Sequence, residues 1–98
     1  LTIDWSKAKG WAKPQIIPYG PIKLDIKATS LHYGISCYEG MNIFKTGKQI
    51  STSLQTNEAL DQLVGSSHHL DMPTFDAKEL LGCVKHLANI DKDWLPNF

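Results

Sequence analysis

Two residues one helical turn apart, Cys83 and His86, form a C-x-x-H step of the kind that begins many zinc sites. A structural site needs a second, similarly spaced pair, and the candidate is His68-His69. Adjacent residues on a helix diverge by about 100°, so these two rings cannot converge on one ion. The spacing therefore argues against a metal centre. Cys37 and Cys83 are the only cysteines, too few for the disulfide framework of a small secreted domain, and they read as reduced, partly buried thiols. Gly40 to Lys48 ends in Gly-Lys, yet six residues separate Gly40 from Gly47 and Gln49 follows the lysine, so no phosphate loop is present. Glu39 is the one acid set in an apolar, aromatic stretch, which gives it either a buried hydrogen bond or a functional role. His32 reads as a satisfied core histidine, and no nucleophile elbow or ordered Ser-His-Asp set is found.

The elements that would hold these residues follow from pattern. Pro14, Pro18 and Pro21 make the opening an extended strap, held to a core by Ile3, Trp5, Trp11, Ile16 and Ile17. Ile22 to Lys27 alternates apolar and polar for six residues, predicting a half-buried strand. Residues 31–44 carry strand-favouring tyrosines, isoleucines and Phe44, with Gly34 and Gly40 opposing a long helix. Thr46-Gly47 is a turn, and Ile50, Thr52 and Leu54 form one face of a returning strand. A helix over 57–70 presents Leu60, Leu63, Val64, Ser67 and Leu70 on one side, despite Gly65. A second helix begins at Asp76 as N-cap, with Glu79 completing a capping box and Phe75 stapling to Leu80, and ends near Lys92.

Ninety-eight residues allow one small domain, and 42% hydrophobic against 20% charged residues argues for a globular chain. Ten basic and ten acidic residues cancel, which removes the basic footprint of a nucleic-acid binder. Every basic residue is a lysine, so no guanidinium is available to grip a carboxylate or phosphate in two-pronged fashion. No apolar run approaches the roughly 20 residues of a membrane-spanning helix. Residues 1–49 carry seven lysines and three acids, and residues 50–98 three lysines and seven acids, so the halves differ by +4 to −4. Either an interaction surface at each end or ordinary solvated faces would produce that asymmetry, and the reading taken is solvated faces. Leu1 in place of methionine suggests a piece of something longer.

A resemblance runs along nearly the whole chain. Leu1-Thr2-Ile3-Asp4-Trp5, Lys13-Pro14, Leu31-His32-Tyr33, Tyr38-Glu39-Gly40, Met72-Pro73-Thr74-Phe75-Asp76, Glu79-Leu80-Leu81 and Asp91-Lys92-Asp93-Trp94-Leu95-Pro96 follow one another in a set order. In that order they resemble the N-terminal part of the branched-chain amino-acid aminotransferases, pyridoxal-phosphate enzymes of fold type IV. The resemblance implies an α+β fold, an antiparallel sheet with flanking helices, and a single partial domain over residues 1–98 that lacks the cofactor-binding large domain. It implies that Tyr33 and Tyr38 line the pocket for a branched aliphatic side chain, although by residue type alone both would pack in a core. It places Gln62 where the family has a phosphate-binding arginine, and Thr52, Gly65 and His69 at positions that are usually basic. The Schiff-base lysine falls beyond Phe98, so no catalytic residue is expected in this chain; Lys78, Lys85 and Lys92 are helix-surface lysines.

The complete enzyme would use pyridoxal phosphate to move an amino group between branched-chain amino acids and 2-oxo acids, as a homodimer in the cytoplasm or mitochondrion. This chain alone is expected to be inactive and to bind no cofactor. The competing readings are a degenerate, non-catalytic isoform that acts as a subunit-interaction module, and an unrelated small binding module.

Overall fold

A computed structural model describes residues 1–52 and 55–97. Among them the chain forms an α+β arrangement in the order β1 (Trp5–Ser6), β2 (Gly10–Trp11), α1 (Thr29–Tyr33), β3 (Ile43–Thr46), β4 (Gln49–Thr52), α2 (Thr56–His69) and α3 (Ala77–Ile90), with a short 3-10 turn at Lys92–Trp94. Two small antiparallel sheets are present among the described residues, β1 with β2 and β3 with β4.

The amino-terminal strap is a narrow hairpin. Trp5 faces Trp11 and Ser6 faces Gly10 across β1 and β2. Beyond the turn the two arms stay paired, with Thr2 and Gln15 exchanging both backbone bonds at 2.8 and 2.9 Å. The strap reaches the body through Trp11, whose Nε1–H donates to the Thr74 carbonyl at 3.0 Å. Its ring also meets Phe75 edge-to-face, with centroids 6.1 Å apart and planes at 90°.

The β3–β4 hairpin closes through Gly47 and Lys48, and Gly47 has φ of +62° while Lys48 does not share the positive φ. A positive φ at the first central residue alone is the pattern of the type II′ turn, which suits the twist of a hairpin and favours glycine there. The expected turn and returning strand are thus observed, with Ile50 and Thr52 half-buried; Leu54 and Ser53 of that reading lie outside the described residues. On its other edge β3 accepts the end of the chain, through a bridge from Lys45 to Asn97 and a 2.8 Å bond from the Lys45 amide to the Pro96 carbonyl.

The helix pair supplies the core. On α2, Leu60 is the most deeply buried large side chain, at 1% exposure, with Ala59 and Ser67 beside it and Ala88 contributed by α3. Leu63 and Val64 are half-buried on the expected face and Leu70 is exposed. Helix α2 ends in paired bonds from the Asp71 amide to the His68 carbonyl and from the Met72 amide to the Ser67 carbonyl. Together with φ of +54° at Asp71, these make a Schellman motif closed by an aspartate where glycine is usual. Helix α3 starts as its sequence dictates: Asp76 Oδ1 accepts from the amides of Lys78 at 2.8 Å and Glu79 at 3.1 Å. It stops at Ile90, slightly before the expected Lys92, with Asp91 as C-cap.

Two expectations are corrected. Ile22–Lys27 is irregular and exposed, not a strand. Asp25 explains part of this, because its carboxylate takes the Lys27 amide at 2.8 Å and its carbonyl takes the Ala28 amide at 2.9 Å. That local turn competes with a ladder, and a strand pattern without a neighbour to pair with has nothing to hold it. Residues 31–44 are likewise not one strand. Their start belongs to α1, which Gly34 ends in the left-handed conformation at φ +63°, and only Ile43 and Phe44 enter β3. The unpacked stretch shows in the dimensions. The radius of gyration is 15.0 Å, against roughly 13 Å for a compact chain of this length.

Candidate functional site

Tyr33 closes α1 and Tyr38 follows in irregular chain, and both project from the body, at 79% and 90% exposure. Neither packs in a core, which corrects the reading from residue type. His32 is not a core histidine either. It is exposed, and its ring bonds the Ile26 carbonyl across the turn that Asp25 starts. Glu39 is half-buried beside Tyr38. Gln62 is exposed on α2.

Two adjoining cavities run along α3, of about 560 and 470 Å³, and both are bordered by Leu1, Pro14, Glu79 and Cys83. In the smaller one the strap supplies Ile3, Trp11 and Pro14, and the body supplies Leu63, Phe75 and Leu80. Asp76 and Glu79 are its carboxylates, and the amino terminus at Leu1 borders it as well. The larger cavity collects Cys83 and His86 with Glu79, residues spaced four and three apart and hence on one face of the helix. The structure therefore unites the C-x-x-H pair but leaves His68 and His69 exposed and apart from it. Among the described residues no group of three or more metal-ligating side chains forms. Both cysteines are free and half-buried; Cys37 lies 3.6 Å from the Ser67 hydroxyl and 4.0 Å from the Met72 sulfur. Tyr33, Tyr38 and Gln62 border neither cavity.

No protein-family model matches the sequence. Similarity to individual proteins runs over the whole chain instead. The chain is 40% identical over 96 residues to a branched-chain-amino-acid aminotransferase of Monosiga brevicollis, covering 98% of this chain and 25% of that protein. It is 34% identical over 96 residues to the mitochondrial enzyme of that name from Bos taurus, covering 98% of this chain and 24% of the relative. The cytosolic enzyme of Mus musculus gives 34% over 96 residues, with 98% and 25% covered. Its homologues are branched-chain-amino-acid aminotransferases. The chain spans about a quarter of the length of these curated relatives. The relatives include mitochondrial and cytosolic proteins, and no helix among the described residues is long and apolar enough to cross a membrane.

The aminotransferase family implies pyridoxal phosphate, whose phosphate group needs cations or clustered donors. Neither cavity fits it. No lysine borders either cavity, and the ionisable groups of the smaller one include the carboxylates of Asp76 and Glu79, which repel a phosphate. Gln62, at the position of the expected anchor, offers a neutral amide on an open helix surface. Sequence reasoning missed the cavities altogether. Their walls come from residues far apart in the chain, and the signal that the strap docks was the set Ile3, Trp5, Trp11, Ile16 and Ile17, of which Ile3, Trp11 and Ile16 line the cavities.

Proposed function

We propose that this chain is the N-terminal small-domain part of a pyridoxal-phosphate-dependent branched-chain aminotransferase, and that residues 1–98 are one partial domain. In the complete enzyme, which transfers an amino group between leucine, isoleucine or valine and 2-oxoglutarate, Tyr33 and Tyr38 form one wall of the side-chain pocket. An apolar wall with polar tips selects branched aliphatic groups by shape. The observation that carries this reading is the combination of whole-chain identity to a quarter of these enzymes with the outward projection of both tyrosines. Gln62 stands in the role of the phosphate contact, and as a neutral amide it weakens that contact. The lysine that bonds the cofactor belongs to the rest of the enzyme, so these residues alone neither hold the cofactor nor turn over substrate. Homodimerisation and a cytosolic or mitochondrial setting belong to the same reading.

A second reading has one observation in its favour. Ile22 and Ile26 are 75% and 76% exposed, and Leu24, Leu31 and Tyr33 near them are exposed as well. Apolar chain of this extent is normally covered by another surface. A non-catalytic form that acts only as a subunit-interaction module would use it in that way.

The test has two arms. The 98-residue chain is incubated with pyridoxal phosphate, reduced with borohydride and weighed by mass spectrometry, and leucine-to-2-oxoglutarate transfer is assayed. No adduct at a defined lysine and no transfer are expected. Stable turnover would sink the proposal. Separately, the mass of the native polypeptide is measured: a product that continues into the lysine-bearing part supports the first reading, and one that stops at Phe98 supports the second.

A further inference from the structure

Two sulfurs and a hydroxyl meet where the irregular chain after α1 reaches the end of α2. Cys37 Sγ lies 3.6 Å from the Ser67 hydroxyl and 4.0 Å from the Met72 sulfur, and its thiol donates to that sulfur. Two of these three residues are fixed to one another by the backbone. The Met72 amide donates to the Ser67 carbonyl at 2.8 Å in the Schellman closure of α2, so both stand on one turn. Cys37 comes to them from 30 positions away, out of residues 34–42, which belong to no helix or strand.

The hydroxyl points to what the sulfurs can hold. Ser67 is only 5% exposed, yet its hydroxyl is turned to the Cys37 sulfur. A neutral thiol is a weak partner for a buried hydroxyl, whereas a thiolate accepts a strong, charge-assisted bond. A thiolate in half-buried surroundings needs a counter-charge, and the neighbouring thioether says of which kind. Thiolate and thioether together select soft ions such as Cu(I). No three of the histidine, cysteine and carboxylate side chains converge among the described residues, but a thioether stands outside that set. One singly charged ion on one thiolate makes a neutral unit, while a divalent ion would leave a charge uncompensated. An ion about 2.3 Å from each sulfur, a usual metal–thiolate length, sees the two about 120° apart at their 4.0 Å separation. That is a trigonal angle, and it requires no change in the distance between the sulfurs.

We infer that Cys37 and Met72 form a binding site for a soft monovalent cation, Cu(I) above all, which takes the place of the thiol proton between the two sulfurs while Ser67 donates to the Cys37 sulfur. Loading breaks the S–H bond, forms a sulfur–copper bond and sends the proton to solvent; neither sulfur nor copper changes oxidation state. The assignment is independent of the aminotransferase reading, since Tyr33, Tyr38 and Gln62 contribute no atom to it. Binding ties residues 34–42 to the end of α2, because the ligands come from both.

Cu(I) itself is the probe, offered anaerobically as its bathocuproine disulfonate complex, whose visible absorbance falls as the protein takes the ion. The 98-residue chain carries Cys83→Ser, which removes the second thiol and with it the C-x-x-H step. One ion per chain should be taken up, with release of the thiol proton into weakly buffered solution. In that background Cys37→Ser should abolish uptake. Met72→Leu, which keeps the side-chain volume, should weaken it more than about tenfold. Ser67→Ala should weaken it by about tenfold, the usual effect of deleting a hydrogen bond to a metal ligand. Circular dichroism verifies the helices of each variant. Equimolar Zn(II) should leave the bound Cu(I) in place. A Met72→Leu chain that holds Cu(I) as tightly as its parent would reduce the site to an ordinary thiol and overturn the proposal. Uptake by the Cys37→Ser chain, displacement by Zn(II), or no uptake by a parent chain with its helices intact would each overturn it as well.

Discussion

Replacing Trp11 by alanine isolates what the strap contributes to the fold. The ring is 44% exposed, so a little over half of it is withdrawn from water. A fully buried tryptophan removes about 150–250 Å², and half of that is about 100 Å², worth about 2.5 kcal/mol at roughly 25 cal/mol per Å². The edge-to-face contact with Phe75 adds about 1 kcal/mol. The bond from Nε1 to Thr74 is solvent-exposed and adds about 0.5 kcal/mol. The expected loss is therefore about 3–4 kcal/mol, a large share of the roughly 5–15 kcal/mol that holds a chain of this size together. Urea unfolding followed by far-UV circular dichroism measures it as a lower midpoint with unchanged slope. Trp11→Phe should recover much of the loss, since it keeps a ring and gives up only the donor and some area. A cycle of Trp11→Ala with Phe75→Ala should show coupling of about 0.5–1.5 kcal/mol. Strict additivity, or a Trp11→Ala loss below about 1 kcal/mol, would mean that the strap does not rest on α3 in solution.

Asp76→Ala strips the acceptor from two amides at the start of α3 and should cost about 1 kcal/mol, whereas Asp76→Asn should leave the melting temperature nearly unchanged. Leu60→Ala should cost about 2–5 kcal/mol in the same urea assay, because among the described residues no other large side chain is as fully enclosed. Asp71→Gly should raise stability by about 0.5 kcal/mol, read as a higher urea midpoint, since glycine adopts the left-handed closure of α2 without the side-chain penalty. Gly47→Ala should lower stability by about 1 kcal/mol by forcing a side chain into the positive φ of the β3–β4 turn.

What the sequence disclosed is what local chemistry decides. Asp76 caps α3 because its carboxylate reaches amides two and three residues on, a relation contained in a four-residue window. Gly47 turns the hairpin for a similar reason, and the face of α2 around Leu60 follows from helical spacing. Ile22–Lys27 misled because alternation describes a strand that has a neighbour; here Asp25 folds the backbone onto itself and no ladder forms. Likewise the tyrosines of residues 31–44 favour strand in general, but Gly34 and the turn before α1 set the local path. The colinear motifs, by contrast, pointed to the aminotransferase homologues that whole-chain identity then supplied. The cleft under the strap was illegible, since Trp11 and Phe75 have no sequence relation until the chain brings them together.

Sixty-three positions separate Trp11 from the Thr74 carbonyl that receives its indole proton. Closing a loop of that length costs on the order of 4 kcal/mol in chain entropy, whereas α2 and α3 meet across a short connection. Assembly consequently has an order: the helical pair can form early, and the amino-terminal arm latches last. In reverse, that arm is the first to lift, so pulsed deuterium labelling should reach the amides of Thr2 and Gln15 while those within α3 are still shielded.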